Sequence, residues 1–384
     1  MKKIIRITTV PISMKNLLKG QLRFMSHHFE VVGITSPGSE IQDIKDDEKI
    51  RVIEVNLTRS ITPIKDLISL FKVYSVLEKE KPSIVHSHTP KAGTIGMIAA
   101  KLAKVPHRFH TIAGLPLVEA KGAKRKLLDV VEKITYACAT KIYPNSFGLK
   151  DIILENKYTN ERKLKVIANG SSNGIDTNHF SLKQLDEDHL LTLKNDLGIN
   201  NDDLVFVFVG RLVKDKGINE LINAFNKIDN AKVKLLLVGT FEHDLDPLDK
   251  QTIHEIEHNQ NIISVGWQTD VRPYFAISNV LAFPSYREGF PNVVMQAGAL
   301  ELPSIVTNIN GCNEIITNDI NGLIIPPKDE ESLLKAMNKF KDQPEKILAM
   351  SKEARDIICK KYRREVIWDA LLNEYRSLEL NQNV

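Results

Sequence analysis

The sequence predicts an α/β protein of two domains, each a parallel sheet wrapped by helices. Three observations carry this prediction. Short apolar runs alternate with longer helical patterns through most of the chain, the order that builds parallel sheets through crossover connections. A polar stretch from about Ser171 to Asp202 breaks this alternation into two series and is expected to hold the linker. At 384 residues, 42% hydrophobic and 26% charged, the chain is long enough for two cores of roughly 150–200 residues each.

The first series has candidate strands at Ile4–Val10, Val31–Thr35, Val52–Leu57, Ile84–His88, Arg108–Thr111, Lys141–Asn145 and Lys165–Ala168. The second has Leu204–Gly210, Lys232–Gly239, Ile262–Gly266, Val280–Pro284, Ser304–Thr307 and Gly322–Ile325. The expected division is an N-terminal domain over 1–180, a C-terminal domain over 181–365, and a helix over 366–384 that returns toward the first domain. Two Rossmann-like domains of this kind would face each other across a cleft.

Composition narrows the setting. Cys138, Cys312 and Cys359 are widely spaced and form no Cys-x-x-Cys pair, which argues against a disulfide framework or a thiolate metal site and fits a cytoplasmic protein. The start of the chain lacks the continuous apolar run of a signal peptide, and no apolar run approaches the ~20 residues of a membrane span. The overall charge of +4 conceals an asymmetry: residues 1–170 carry 29 Lys and Arg against 16 Asp and Glu, a net +13, whereas the remainder carries 23 against 32, a net −9. A basic first half suggests an anionic partner. Its densest cluster, Lys121, Lys124, Arg125 and Lys126, opens a helical pattern with Leu127, Leu128, Val131 and Ile134 on one side. That pattern is either a membrane-surface helix, placing the protein peripherally on the inner face of a membrane, or an ordinary amphipathic helix. Nucleic acid is not expected, because the basic region has no interleaved aromatics.

Within the second series, Val280-Leu-Ala-Phe283 leads into Glu288-Gly-Phe-Pro291 and a helix from Asn292. The first free N–H groups and positive dipole end of that helix suit an anion. Glu288 would repel a phosphate, so it is expected to accept hydrogen bonds from hydroxyls carried beside one. A sugar nucleotide combines the two. Gly210-Arg-Leu-Val-Lys-Asp-Lys-Gly217 follows the strand Leu204–Val209, at the sheet edge where ligands bind. There Arg211 offers a planar fork and Lys216 a compact charge, together able to neutralise a diphosphate. Taken alone, this turn is commonplace; beside the Glu288 turn it reads as functional.

In the first series, His110 closes a strand and would either hold a donor-sugar hydroxyl or be a hydrogen-bonded strand-end histidine. His86 and His88 have an i, i+2 spacing without a companion cysteine or carboxylate motif, so lining the cleft is a better reading than binding a metal. Asp244-Leu-Asp246 reads as an acidic loop, because Arg211 and Lys216 already supply the charge that a metal would bring. No metal or other cofactor is expected.

Taken together, these segments resemble the retaining glycosyltransferases of family 4. The resemblance spans essentially the whole chain. It is carried most strongly by the Gly210–Gly217 turn, Val265-Gly-Trp-Gln-Thr-Asp-Val271, Phe283-Pro-Ser-Tyr-Arg-Glu-Gly-Phe-Pro-Asn292 and Asn321-Gly-Leu-Ile-Ile-Pro326, with Phe109-His-Thr111 and Asn173-Gly-Ile-Asp-Thr-Asn-His-Phe180 in the first half. It implies the twin-domain GT-B fold and transfer of a sugar from a nucleotide diphosphate, most readily a UDP-sugar, to a glycan or glycolipid precursor, with retention. It further implies that Arg211 and Lys216 bind the diphosphate, that Glu288 and the backbone N–H groups of Gly289, Phe290 and Asn292 meet the sugar or phosphate, and that His110 contacts the transferred sugar. Base and ribose would lie near Gly239, Val265 and Gln296.

The family pattern is Glu, seven residues, Glu, and here Gln296 replaces the second acid, keeping one carbonyl acceptor for a ribose hydroxyl. A second departure is Val10-Pro-Ile-Ser-Met-Lys-Asn16, where many members carry a glycine-rich loop. Two rival functions follow from the same resemblance: a UDP-sugar 2-epimerase and a non-catalytic sugar-nucleotide-binding subunit.

Overall fold

The computed structural model describes residues 1–115, 121–242 and 246–380. The chain divides into two compact units, one formed by Met1–Asn173 with Glu365–Val384 and the other by Gly174–Arg364.

The first unit holds β1 (Lys3–Ile7), β2 (Glu30–Thr35), β3 (Arg51–Glu54), β4 (Ile84–Ser87), β5 (His107–Ile112) and β6 (Lys141–Pro144) in the parallel order β3-β2-β1-β4-β5-β6. The second holds β7 (Leu204–Val209), β8 (Val233–Val238), β9 (Ile262–Ser264), β10 (Val280–Phe283), β11 (Ser304–Thr307) and β12 (Gly322–Ile325) in the order β12-β11-β10-β7-β8-β9. Both sheets are Rossmann-like, with the strand order reversing beside their first strand. Central strands such as Leu204-Val-Phe-Val-Phe-Val209 are apolar throughout because helices cover both faces.

Twelve of the thirteen expected strands form, most of them a residue or two shorter than their apolar runs. The exception is Lys165–Ala168. Pairing there stops at a single bridge between Ile142 and Leu164, extended by the Lys165 N–H bond to the Ile142 carbonyl at 3.1 Å. Ala168 then enters the left-handed region at φ +48°, which ends any extension. The polar stretch expected to act as a linker also has structure of its own, including the helix Glu187–Asp196 capped by the Asp186 side chain.

The helix Arg364–Leu380 completes the first unit. Its Ile367, Leu371, Leu372 and Tyr375 join a core with Ile4, Phe109 and Tyr143. Polar anchors fix it: Trp368 donates to Asn173 Oδ1 at 2.7 Å, Tyr143 donates to Glu374 at 3.2 Å, and Lys165 pairs with Glu374. Among the described residues, no helix is long and apolar enough to cross a membrane.

Candidate active site

In the second unit, β7 and β10 lie side by side where the strand order reverses, so the loops leaving their carboxyl ends diverge around a crevice. These loops are Gly210–Gly217 and Pro284–Pro291. Lys216 and Glu288 meet there in an ion pair, each side chain only 16% exposed. The Ser285 hydroxyl donates to Glu288 Oε1 at 3.0 Å, and the Lys216 ammonium lies 5.8 Å from the centre of the Phe283 ring. Gly217 makes this approach possible: at φ +72°, a Cβ there would stand 2.2 Å from the Pro284 carbonyl oxygen. Only glycine fits.

The other expected residues of this unit occupy the same sheet edge in separate places. Arg211 pairs with Glu242 at 2.7 Å and is half exposed, so its fork faces a carboxylate. Gly239, just past β8, presses its backbone against Gly210, whose carbonyl oxygen would lie 1.8 Å from an added Cβ. Val265 follows β9, hydrogen-bonds back to Leu237 at 3.0 Å and accepts from the Gln268 amide at 2.8 Å. Gly289, Phe290 and Asn292 lead into the helix Asn292–Ala299, with Pro291 at its cap position. The Phe290 side chain is a core anchor, packed 5.4 Å from the Tyr362 ring, so any ligand contact there falls to its backbone. Gln296 lies one turn beyond Asn292 on that helix and is partly buried.

Several supporting residues escaped the sequence reading. Asn310 donates to the carbonyls of Glu288 and Gly289, and the Thr307 hydroxyl donates to that of Ser285, so the loop after β11 holds the Glu288 turn in place. Arg287 pairs with Asp215 at 2.8 Å, and the Tyr286 hydroxyl donates to Glu220 at 2.5 Å. Burial, with Glu220 beside it, raises the Tyr286 phenol above its ordinary range. The one available signal was the Asn310-Gly311 pair after a predicted strand, an ordinary turn pattern. Asp244 and Leu245 lie outside the described residues; Asp246 accepts the Asp215 N–H at 2.6 Å. Among the described residues, no three His, Cys, Asp or Glu side chains gather into a metal-binding group.

In the first unit, His110 on β5 is 3% exposed, with Nδ1 at 2.9 Å from the Ser87 hydroxyl. Gly93 leaves room for its ring, since a Cβ there would meet it at 2.3 Å. Burial lowers the His110 pKa to about 4, against a smaller opposing effect of the Ser87 backbone, so the imidazole is neutral near pH 7. It can hydrogen-bond a hydroxyl but carries no full charge.

His86 and His88 do not line an open surface. His86 bonds Tyr375 at 2.5 Å and Thr111 at 2.7 Å, whereas His88 accepts from the buried Arg6 at 2.9 Å. Their nitrogens tie the sheet to the returning helix and to β1. Burial, then the Arg6 charge, holds both well below the usual histidine range. A base depressed on folding stabilises the fold above its unfolded value of about 6.5 and loses that contribution as pH falls toward the folded value. Wild-type stability is therefore expected to fall between about pH 6.5 and 4, and His110→Gln to flatten part of that decline. Parallel urea titrations of both proteins measure it; equal slopes would refute the coupling.

Of the residues expected to bind an anionic membrane, Arg125 is engaged with Asp129 at 2.8 Å and with Asn156 and Tyr158. Lys121, Lys124 and Lys126 are exposed, and so are Leu127, Val130 and Ile134 on the helix Gly122–Cys138. Lys15, in the last turn of the helix Pro11–Leu17, is held by Asp43 at 2.6 Å.

The family profile described as glycosyl transferases group 1 matches residues 191–357, and that of the glycosyl transferase 4-like domain matches 18–170. The capsular polysaccharide biosynthesis glycosyltransferase CapM of Staphylococcus aureus is 35% identical over 381 residues, spanning 98% of this chain and 97% of that one. This chain is a group 1 glycosyltransferase. A second transferase relative, the UDP-Gal:alpha-D-GlcNAc-diphosphoundecaprenol alpha-1,3-galactosyltransferase of Escherichia coli, is 30% identical over 92% of each chain. The crystal structure of Anabaena HepE in complex with UDP superposes with a TM-score of 0.81 at 17% identity, over 98% of this glycosyltransferase and 100% of that chain. The glycosyltransferase thus has the GT-B fold, and these relatives favour transfer over epimerisation or passive binding.

The chemistry open to the glycosyltransferase follows from its charges. In the partly dry Lys216–Glu288 pair, a fixed cation stands beside a fixed hydroxyl acceptor. A leaving phosphate and a sugar hydroxyl are the two groups such a pair can hold at once.

Proposed function

We propose that the glycosyltransferase moves a sugar from a UDP donor to a hydroxyl of a lipid-linked glycan precursor in cell-surface polysaccharide synthesis, with retention. The observation that carries this reading is the Lys216–Glu288 pair at the β7/β10 switch point. The names of the relatives support it, one a capsular transferase and the other acting from UDP-Gal on a diphosphoundecaprenol-linked sugar.

In this reading Lys216 and Arg211 hold the diphosphate, Arg211 exchanging Glu242 for phosphate oxygens. Glu288 accepts sugar hydroxyls, and the N–H groups of Gly289, Phe290 and Asn292 meet sugar or phosphate oxygens. His110 hydrogen-bonds a hydroxyl of the transferred sugar. Gln296 accepts from the ribose, and Gly239 and Val265 border the base. The two cations take the place of a metal. A double-displacement route needs a second carboxylate about 5 Å from the first to act as nucleophile. Glu288 is the acid the sequence offers, which favours a front-face step in which the departing diphosphate takes the proton of the incoming hydroxyl as the new C–O bond forms.

A panel of UDP-sugars tests the assignment. UDP release that requires an acceptor fits transfer, whereas an epimerised donor recovered without acceptor would overturn it. Gln296→Glu is expected to tighten UDP binding about tenfold, the difference between a charged and a neutral acceptor; unchanged affinity would remove Gln296 from the ribose. The same reading includes peripheral contact with an anionic membrane through Lys121, Lys124, Arg125 and Lys126. Glutamate at Lys121, Lys124 and Lys126 is expected to reduce sedimentation with phosphatidylglycerol vesicles, and undiminished sedimentation counts against it.

A further inference from the structure

A pocket in the first unit is lined by none of the residues assigned above. It measures about 460 Å³ and is formed by Ser36 and Pro37 after β2, by Asn56, Leu57 and Thr58 after β3, and by one side of the helix Pro63–Glu80. It therefore opens at the carboxyl ends of parallel strands, where open α/β sheets bind ligands. The helix contributes Lys65, Ile68, Ser69 and Lys72, one turn apart along a single face.

The charge of this pocket is uncompensated. Among the described residues, neither the Lys65 nor the Lys72 ammonium has an acidic partner within 4 Å, and both side chains are exposed. The neighbouring acid on the helix, Asp66, is taken up by Lys91 at 2.5 Å and by the N–H and hydroxyl of Thr62. Two such cations at the rim of one cavity suit a group with two or more negative charges.

Beside this basic wall the same helix turns an apolar row to solvent. Ile64 is 78% exposed and Phe71 61%, with Leu67 and Ile68 about half exposed between them. The spacing i, i+3, i+4, i+7 is that of a buried stripe, yet the buried stripe of this helix is Ser69, Val73 and Leu77. Ile68 belongs to both the row and the pocket, so the two surfaces are continuous. A row of large apolar side chains left in water marks a binding surface.

We propose that this pocket binds the diphosphate of a prenyl diphosphate-linked acceptor, with Ile64, Leu67, Ile68 and Phe71 covering the first part of its hydrocarbon chain. The inference rests on the lipid-linked reading above and adds the group by which the acceptor is held. One ligand with a doubly charged head and an apolar tail satisfies both surfaces. A free sugar phosphate leaves the apolar row uncovered, and a membrane phospholipid brings one charge to two lysines.

Farnesyl diphosphate is the probe, titrated against the full-length protein, with UDP titrated in parallel. Lys65→Glu combined with Lys72→Glu is expected to weaken farnesyl diphosphate at least about tenfold while UDP binding is unchanged. Ile64→Ser combined with Phe71→Ser is expected to remove the advantage of farnesyl diphosphate over inorganic diphosphate. Equal affinity for farnesyl diphosphate in wild type and lysine variant would overturn the proposal. So would displacement of the probe by phosphatidylglycerol vesicles at matching lipid concentration, which would make the face a general anionic-membrane surface. Loss of UDP binding in the wild type would instead refute the donor assignment, and this proposal with it.

Discussion

Lys216→Ala is expected to lower the rate of sugar transfer about 10²- to 10³-fold, with donor and acceptor both saturating. The size follows from the site. Lys216 is largely shielded from water and is paired with Glu288, so in the role proposed above its charge would act on a departing diphosphate with little screening. Removing one preorganised group that meets developing charge in such a setting costs roughly 3–4 kcal/mol of barrier. Among the described residues, the substitution also leaves Glu288 with the Ser285 hydroxyl as its side-chain partner. Lys216→Arg is expected to rescue poorly, because the Gly217 backbone that follows is held close against the Pro284 carbonyl and a planar fork is wider than an ammonium. Single-turnover measurement of UDP release decides the matter: a wild-type rate in Lys216→Ala would remove the pair from the chemistry.

Gly217→Ala is expected to destabilise the second unit by about 2–4 kcal/mol, combining left-handed strain with displacement of the Pro284 loop. Gly198 separates the two contributions. It has a similar positive φ, +65° against +72°, but nothing lies within 4 Å of a Cβ built there. Gly198→Ala should therefore cost about 1–2 kcal/mol from strain alone. Urea unfolding of both variants measures the difference, and equal midpoints would show that the loop contact carries no energy. Because the displaced loop bears Ser285 and Glu288, Gly217→Ala should also lose activity under conditions where it remains folded.

The layered architecture was legible because each strand that forms is an apolar run bounded by polar residues, and burial on both faces demands that pattern. Lys165–Ala168 showed where the pattern is not enough, since an apolar run needs a continuing partner and a backbone free of positive φ. The place of the candidate site residues in the second unit, at the carboxyl edge of its sheet, was also legible, because each follows a predicted strand. Their pairing was not. Lys216 and Glu288 are 72 residues apart, and it is strand order that brings β7 beside β10. The support from Asn310 and the engagement of Arg211 by Glu242 are likewise set by neighbouring loops rather than by local sequence. His86 and His88 were read as lining a cleft because spacing is silent about burial; they are buried, and their partners Arg6 and Tyr375 lie far away in the chain.

The returning helix also bears on how the molecule is made. A ribosome finishes β1 to β6 before it begins the second unit, yet the core between those strands and the helix Arg364–Leu380 cannot close until the whole of that unit has been translated. Until then Ile4, Phe109 and Tyr143 lack their apolar cover, and His86 lacks the Tyr375 hydroxyl. The unit that starts first is completed last, so a message truncated before Glu365 yields a folded second unit attached to an unfinished first one, a product suited to recognition by chaperones and proteases.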